Sequence, residues 1–127
     1  MAHFAKIEDN KVTQVIVINN NDINNLDYPD SEPVGQEYIS KIGLDGEWKQ
    51  TSYNSNFRHC YAGIGFLYNE KLDIFHSDSP FPSWTFDEEK LDWVPPIPYP
   101  QDGKDYEWNE SEQKWILEST YMLNPKP

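Results

Sequence analysis

The chain has 127 residues, enough for one domain or at most two very small ones. Asp and Glu number 22 against ten Lys and Arg, a net charge of −12, and there are five Trp, eight Tyr and six Phe. Disordered chains are poor in aromatic residues, so this composition predicts a folded domain with an aromatic core and an acidic surface. The charge argues against nucleic-acid binding, because phosphate contacts need clustered basic residues.

Residue counts exclude further classes of site. The single cysteine, Cys60, allows neither an internal disulfide nor a cysteine-based zinc site. The longest apolar runs, such as residues 15–18, fall far short of the ~20 residues that cross a bilayer. The first residues lack the basic and apolar pattern of a signal peptide. We therefore expect a protein that folds in the cytoplasm and does not contact membranes.

The first predicted element is a β-hairpin. Residues 4–7 and 12–18 are rich in β-branched and aromatic side chains, and they flank a polar turn with a loop of four or five residues. Apolar residues lie on both predicted faces of 12–18, which indicates a central strand covered on both sides. Strict alternation would place four side chains on one face: Val12, Gln14, Ile16 and Ile18.

One helix follows the hairpin. Ser31 is expected to be its N-cap, and Pro33 suits the first turn. Apolar residues at helical spacing then predict a helix over 32–42, which Gly43 ends. We expect its apolar stripe to pack on the central strand.

Less regular segments flank this helix. The Asn-rich tract 19–25 predicts a loop with one helical turn. Residues 48–53 predict a further strand. Arg58, the only arginine, is expected to pair with a carboxylate and hold the turn at 54–60.

The most informative feature is a repeated aromatic pattern. The unit aromatic-x-aromatic-[Asp/Asn]-Glu-x4-aromatic occurs three times, at intervals of 18 and 22 residues. The ring positions are Phe66, Tyr68 and Phe75, then Trp84, Phe86 and Trp93, then Tyr106, Trp108 and Trp115. Each copy predicts a hairpin in which Asp or Asn starts the turn by bonding the backbone two residues on, and the third ring lies opposite the first two. Prolines between the copies predict connectors that leave the sheet.

These elements predict an α+β fold that is mainly β. An N-terminal antiparallel sheet with one helix covers residues 1–65, three aromatic-rich hairpins cover 66–120, and a loose tail covers 121–127. We expect these regions to form one compact domain.

The repeated rings have two interpretations. Rings of a repeated hairpin usually hold repeats or subunits together, which favours a role in the core and in interfaces. The alternative is a carbohydrate platform formed by the hairpin tryptophans. The candidate interface or binding residues are Tyr68, Phe75, Trp84, Phe86, Trp93, Tyr106, Trp108 and Trp115.

The sequence contains no pattern typical of catalysis or metal binding. No histidines occur at His-x3-His spacing, and the His-Ser-Asp segment at 76–78 lacks a nucleophile elbow. Glu70, Glu88 and Glu110 occupy equivalent positions of the repeats, which indicates a structural role. We therefore expect no enzymatic activity, no metal and no cofactor.

Several motifs carry a family resemblance: WKQTSYN at 48–54, NFR at 56–58, YAGIGF at 61–66, PSW at 82–84 and PYPxDGKxYxW at 98–108. In these motifs the chain resembles a family of small proteins encoded by tailed bacteriophages of marine bacteria, especially cyanophages, whose members are uncharacterised or virion-associated. The hairpin unit is also similar to segments that are attached to phage tail-fibre proteins. The resemblance implies a non-enzymatic virion structural or accessory protein, either a capsid decoration or a tail-associated component.

This resemblance implies a location in the virion, after assembly in the host cytoplasm, and contacts with other virion proteins. The many rings favour a homo-oligomer, and screening of the like charges by salt should tighten self-association. Two alternatives remain. One is an early phage protein that binds a host protein through its acidic surface, and the other is a glycan-binding module that uses the tryptophans.

Overall fold

The computed structural model describes residues 1–118, so the tail predicted at 121–127 lies outside the described residues. The chain divides into two compact units, residues 1–78 and 79–127. The fold is mainly β with one α-helix, as predicted. The sequence analysis placed a division at residue 65, before the first aromatic hairpin. That hairpin instead pairs with the N-terminal sheet, so the division falls after it.

Unit 1 (residues 1–78) contains one antiparallel sheet of five strands, a short 3-10 helix and one α-helix. The elements are β1 Ala2–Glu8, β2 Lys11–Ile18, the 3-10 helix Asn20–Ile23, α1 Ser31–Lys41, β3 Glu47–Thr51, β4 Leu67–Asn69 and β5 Ile74–His76. The strand order is β3-β1-β2-β4-β5, so β2 is central as predicted. The helical turn in the Asn-rich tract is confirmed.

The β1–β2 turn is tighter than predicted. Only Asp9 and Asn10 separate the two strands, whereas the sequence analysis expected a loop of four or five residues. Both residues have positive φ, 51° and 64°, which is the conformation of a two-residue hairpin turn that matches the twist of the strands. Asp and Asn tolerate this conformation better than most residues.

The predicted alternation along β2 is wrong because the register of β1 and β2 shifts between Lys6 and Ile7. The shift leaves Thr13 without a partner residue in β1. As a result, Val12 packs with Ile7 in one apolar cluster, whereas Ile18 packs in another.

The sheet is covered on both faces, most completely along β1. One cluster contains Ala2, Phe4, Ile18, Ile23, Ile39 and Trp48. The other contains Ala5, Ile7, Val12, Ala62, Tyr68 and Phe75. β2 contributes to both clusters, Ile18 and the half-buried Ile16 to the first and Val12 and the half-buried Val15 to the second, so the expected cover on both sides of β2 is present in part. β1 is covered more completely, because α1 lies on one of its faces and the segment around Ala62 on the other.

The predicted helix is confirmed, with two differences. Asp30 is at the N-cap position, whereas Ser31 is helical, buried, and donates its hydroxyl to the Gln50 side-chain oxygen at 2.6 Å. The helix packs on β1 and β3 more than on β2. Gly35 allows this approach, because a Cβ there would lie 2.1 Å from a ring carbon of Phe4.

Unit 2 (residues 79–127, described to 118) consists of two hairpins. Strands β6 Thr85–Asp87 and β7 Asp92–Val94 form one two-stranded antiparallel sheet. Strands β8 Tyr106–Asn109 and β9 Lys114–Leu117 form the other. Residues 95–105, which contain the proline-rich connector, belong to neither sheet.

The three predicted hairpins share one geometry. The ring pairs lie directly opposite each other in register: Tyr68 and Phe75, Phe86 and Trp93, Trp108 and Trp115. The side chain of Asn69, Asp87 or Asn109 accepts a backbone N–H from the residue three positions on, at 2.9 to 3.0 Å. The prediction placed this bond two positions on; Asp87 accepts such a bond as well, from the backbone N–H of Glu89 at 2.9 Å. The last loop residue has a φ near 50° in each: Asp73, Leu91 and Gln113.

Candidate functional site

The eight aromatic residues predicted as interface or binding residues are divided between the two units. Tyr68 and Phe75 pack in the sheet of unit 1, where both are buried. The other six lie in unit 2. Trp108 is buried at 6% exposure, and the remaining five are half-buried: Trp84, Phe86, Trp93, Tyr106 and Trp115.

Three tryptophans form the centre of unit 2. The rings of Trp84, Trp108 and Trp115 meet edge to face, with centroids 5.1 to 6.0 Å apart. Such pairs are stabilising beyond the area they bury. Trp108 is therefore part of a small core and cannot belong to an exposed platform of four tryptophans.

A groove lies next to this core. It has a volume of about 420 Å³, within the range of small ligand sites. Its walls are mostly aromatic rings, prolines and one valine: Trp84, Asp87, Lys90, Val94, Pro95, Pro98, Tyr99 and Trp115. We call this feature the aromatic groove.

The proline-rich connector is held in place at the groove by two hydrogen bonds. The indole N–H of Trp115 donates to the carbonyl oxygen of Ile97 at 2.8 Å. The hydroxyl oxygen of Tyr99 accepts the backbone N–H of Tyr106 at 2.9 Å. Tyr99 also packs edge-on against Trp115, with centroids 4.9 Å apart. Both contacts fix the wall that the connector contributes.

The sequence analysis did not identify the connector as part of a site. It treated the prolines as spacers, so Pro95, Pro98 and Tyr99 were absent from the candidate residues. The available signal was a tyrosine between two prolines, which combines a large ring with a stiff backbone.

Glu110 stabilises unit 2 through neutral donors. Its carboxylate accepts the indole N–H of Trp108 at 2.9 Å, and the backbone N–H and hydroxyl of Ser83 at 3.1 and 2.7 Å. The bond from Trp108, followed by those from Ser83, lowers the pKa of Glu110. Close by in sequence, the hydroxyl of Tyr106 donates to Asp102, which raises the pKa of Tyr106 and lowers that of Asp102.

Unit 1 contains an ion-pair network around Arg58, whose side chain is 6% exposed. Its guanidinium contacts both carboxylate oxygens of Glu32, Asp73 at 2.8 Å and the carbonyl of Gln50 at 2.9 Å. Burial by itself would lower the pKa of Arg58, but the bonds to Glu32 and Asp73 outweigh it and raise this pKa. The predicted pairing of Arg58 is confirmed, and its four hydrogen bonds join α1, β3 and the first hairpin.

The His-Ser-Asp segment at 76–78 lies at the end of β5. His76 is buried in β5, and its Nδ1 lies 2.8 Å from the backbone carbonyl oxygen of Ser77. The carboxylate of Asp78 pairs with Lys11 at 3.4 Å. Within residues 1–118, no group of three or more His, Cys, Asp or Glu side chains is arranged to hold a metal ion.

The helices of the described part of the chain are also too short or too polar to cross a membrane. A comparison with protein-family models gives no match. Comparisons with curated proteins and with solved structures likewise give no significant match.

Proposed function

We propose that the chain is a non-enzymatic structural or accessory protein of a bacteriophage particle, a capsid decoration or a tail-associated component. We further propose that it attaches to a neighbouring particle protein through the aromatic groove. The motif resemblance supports the phage origin. The groove is the observation that carries the proposed attachment, because aromatic rings are enriched in the cores of protein interfaces.

The acidic composition of unit 2 indicates the chemistry of the partner. Residues 79–118 contain ten carboxylates and three lysines. An apolar side chain flanked by Lys or Arg would fill the groove and complement this charge. Complementary charge mainly accelerates encounter and selects the partner, whereas the apolar contact supplies affinity.

Mass spectrometry of purified particles tests the proposed location. We expect the protein in particles at a stoichiometry that survives a high-salt wash, because apolar contacts are not screened by salt. Its absence from particles, combined with early synthesis and capture of a basic host protein, would instead establish the host-binding alternative.

Two neighbouring prolines allow a matched test of the groove. Pro98 lines the groove and Pro96 does not, and both side chains are exposed in the same connector. Pro98→Asp places a carboxylate in the groove wall and should reduce incorporation into particles at least tenfold. Pro96→Asp adds the same charge and should leave incorporation unchanged. Equal incorporation of both variants would show that attachment uses another surface.

Self-association through the same rings is a further part of the proposal. Copies of this chain repel each other through their net charge of −12, and salt screens this repulsion. Sedimentation should therefore show larger species as ionic strength rises. A monomer at both low and high salt would restrict the contact to other particle proteins.

A further inference from the structure

We propose that unit 1 carries a second site, which binds a neutral sugar. The site is a cavity of about 350 Å³ where the start of β1 meets the end of β3. This volume lies at the small end of the range for ligand pockets and suits one or two sugar rings. We call it the polar cavity. It lies within unit 1 and does not depend on the aromatic groove or on the function proposed for it.

Three carboxamides provide the hydrogen-bonding groups. Asn20, Asn54 and Asn56 line the cavity, and all three are exposed. Among residues 1–118, none of their side chains makes a hydrogen bond to another group of the protein. Each carboxamide offers two N–H donors and one oxygen acceptor, which matches the paired donor and acceptor character of sugar hydroxyls.

The segment that carries two of these carboxamides is fixed. The backbone N–H of Asn56 donates to the hydroxyl oxygen of Ser52 at 2.9 Å. The backbone N–H of Ser55 donates to the carbonyl oxygen of Ser52 at 3.0 Å. Residues 52–56 therefore form a closed turn, and this segment loses little conformational entropy when a ligand binds.

An exposed ring lies beside the carboxamides. Tyr53 is 67% exposed, and its ring stacks on His3 with centroids 5.3 Å apart and planes inclined by 26°. Tyr61 packs edge-on against both rings, at 5.4 and 5.7 Å. The electron-rich face of an aromatic ring attracts weakly positive C–H groups, and a sugar ring presents a row of these on its flat side.

The side chains that line the cavity are almost all neutral, in a chain with a net charge of −12. Asp27 is the one Asp, Glu, Lys or Arg of the wall, and Met1, which carries the N-terminal amino group, also lines the cavity. Burial, together with this amino group, lowers the pKa of His3, so its imidazole is neutral at pH 7. Neutral hydrogen-bonding groups beside an aromatic face match a neutral polyhydroxy ligand better than an ion.

The test is an NMR titration of the full chain with glucose, galactose, mannose and N-acetylglucosamine. Each sugar is added to about 10 mM, roughly tenfold above a Kd of 1 mM. We expect at least one of them to cause saturable shifts in the signals of Asn20, Asn54 and Tyr53, with smaller changes elsewhere.

Matched variants separate binding from general effects. Tyr53→Ala and Asn20→Ala remove one exposed side chain each and should weaken binding about fivefold or more, the equivalent of one lost contact of about 1 kcal/mol. Asn21→Ala changes the next residue of the same 3-10 helix, which does not line the cavity, and should bind like the unmodified chain. The absence of saturable shifts with all four sugars would overturn the proposal. So would equal affinity of Tyr53→Ala and Asn21→Ala, or tighter binding of sulfate or N-acetylneuraminate.

Discussion

The same hairpin motif is present in both units, but its rings have different surroundings. In unit 1 the pair Tyr68 and Phe75 is buried, with Phe75 fully inaccessible. In unit 2 the pair Phe86 and Trp93 is half-buried, as is Trp115 of the third pair. The backbone register and the left-handed loop residue are nevertheless equivalent in all three.

The difference arises from what each hairpin packs against. The first hairpin extends a five-stranded sheet, and its rings meet aliphatic residues from β1 and β2 together with Ala62. The hairpins of unit 2 are separate two-stranded sheets, and their rings mainly contact other rings. Local sequence thus determines the hairpin, and its neighbours determine whether the rings are buried or remain available to line a groove.

The largest expected effect concerns the network that anchors the first hairpin in unit 1. Arg58→Met keeps an apolar stem but leaves the carboxylate of Glu32, which is 16% exposed, without its cationic partner and with only the backbone N–H of Gln50 as a donor. Breaking a buried ion pair in this way typically costs about 3–5 kcal/mol. We expect amide hydrogen exchange at β1 to accelerate accordingly.

Lys41→Met is the control, because Lys41 pairs with Glu37 on the exposed face of α1 and such pairs contribute little. Exchange at β8 reports unit 2 in the same sample. If Arg58→Met accelerates exchange at β1 and β8 equally, the two units unfold together, and the stability of unit 2 is not independent of that of unit 1.

A smaller loss in the free energy of unfolding is expected for a substitution where α1 packs on the sheet. Gly35→Ala gains helix propensity of up to about 1 kcal/mol, but its Cβ would overlap the buried ring of Phe4. Overpacking of this kind typically costs roughly 1–3 kcal/mol, so we expect a net loss in the free energy of unfolding.

Urea unfolding measures this loss, with Ser40→Ala at an exposed position of the same helix as the control. Phe4→Leu should be less harmful in the Gly35→Ala background than alone, because the smaller side chain makes room for the new methyl group. Stabilisation by Gly35→Ala would contradict the packing of Gly35 on Phe4.

The sequence predicted elements and local register well because these depend on short patterns. The helix at 31–41 and all three ring pairs follow from periodicity and turn residues alone. Two kinds of feature were not predictable. One is the register shift of β1 and β2 after Lys6, which depends on the apolar clusters that the side chains of β2 join. The other is the groove wall at Tyr99, which belongs to a connector without a regular sequence pattern. Both are set by contacts between segments that are distant along the chain.

The third expected effect is a dependence of the stability of unit 2 on pH. The pKa of Glu110 is lowered from 4.5 by its bond from Trp108, so the folded state favours the ionised carboxylate. This stabilisation is present above about pH 4.5, the unfolded value, and is lost as the pH falls through the lowered folded value. We expect tryptophan fluorescence to report a loosening of the Trp108 environment in this acidic range.

Glu110→Gln should reduce this pH dependence, since the amide does not titrate. Glu70→Gln provides the matched control, because Glu70 has the same position in the hairpin of unit 1, is exposed, and follows Tyr68 rather than a tryptophan. Identical acid profiles for Glu110→Gln and the unmodified chain would show that the carboxylate does not stabilise unit 2.

The smallest expected change in stability concerns one backbone position that is equivalent in the hairpins of both units. Gln113 has a φ of 50° and an exposed side chain. Gln113→Gly removes the cost of a left-handed backbone at a non-glycine residue, about 1 kcal/mol, from the folded state. The greater entropy that glycine gives the unfolded chain offsets part of this gain. We expect a net stabilisation of about 0.5 kcal/mol by thermal denaturation. Asp73→Gly relieves the same backbone but removes the bonds to Arg58 and Tyr68, so it should destabilise. Equal stabilisation by both variants would show that the bonds of Asp73 to Arg58 and Tyr68 do not stabilise the first hairpin.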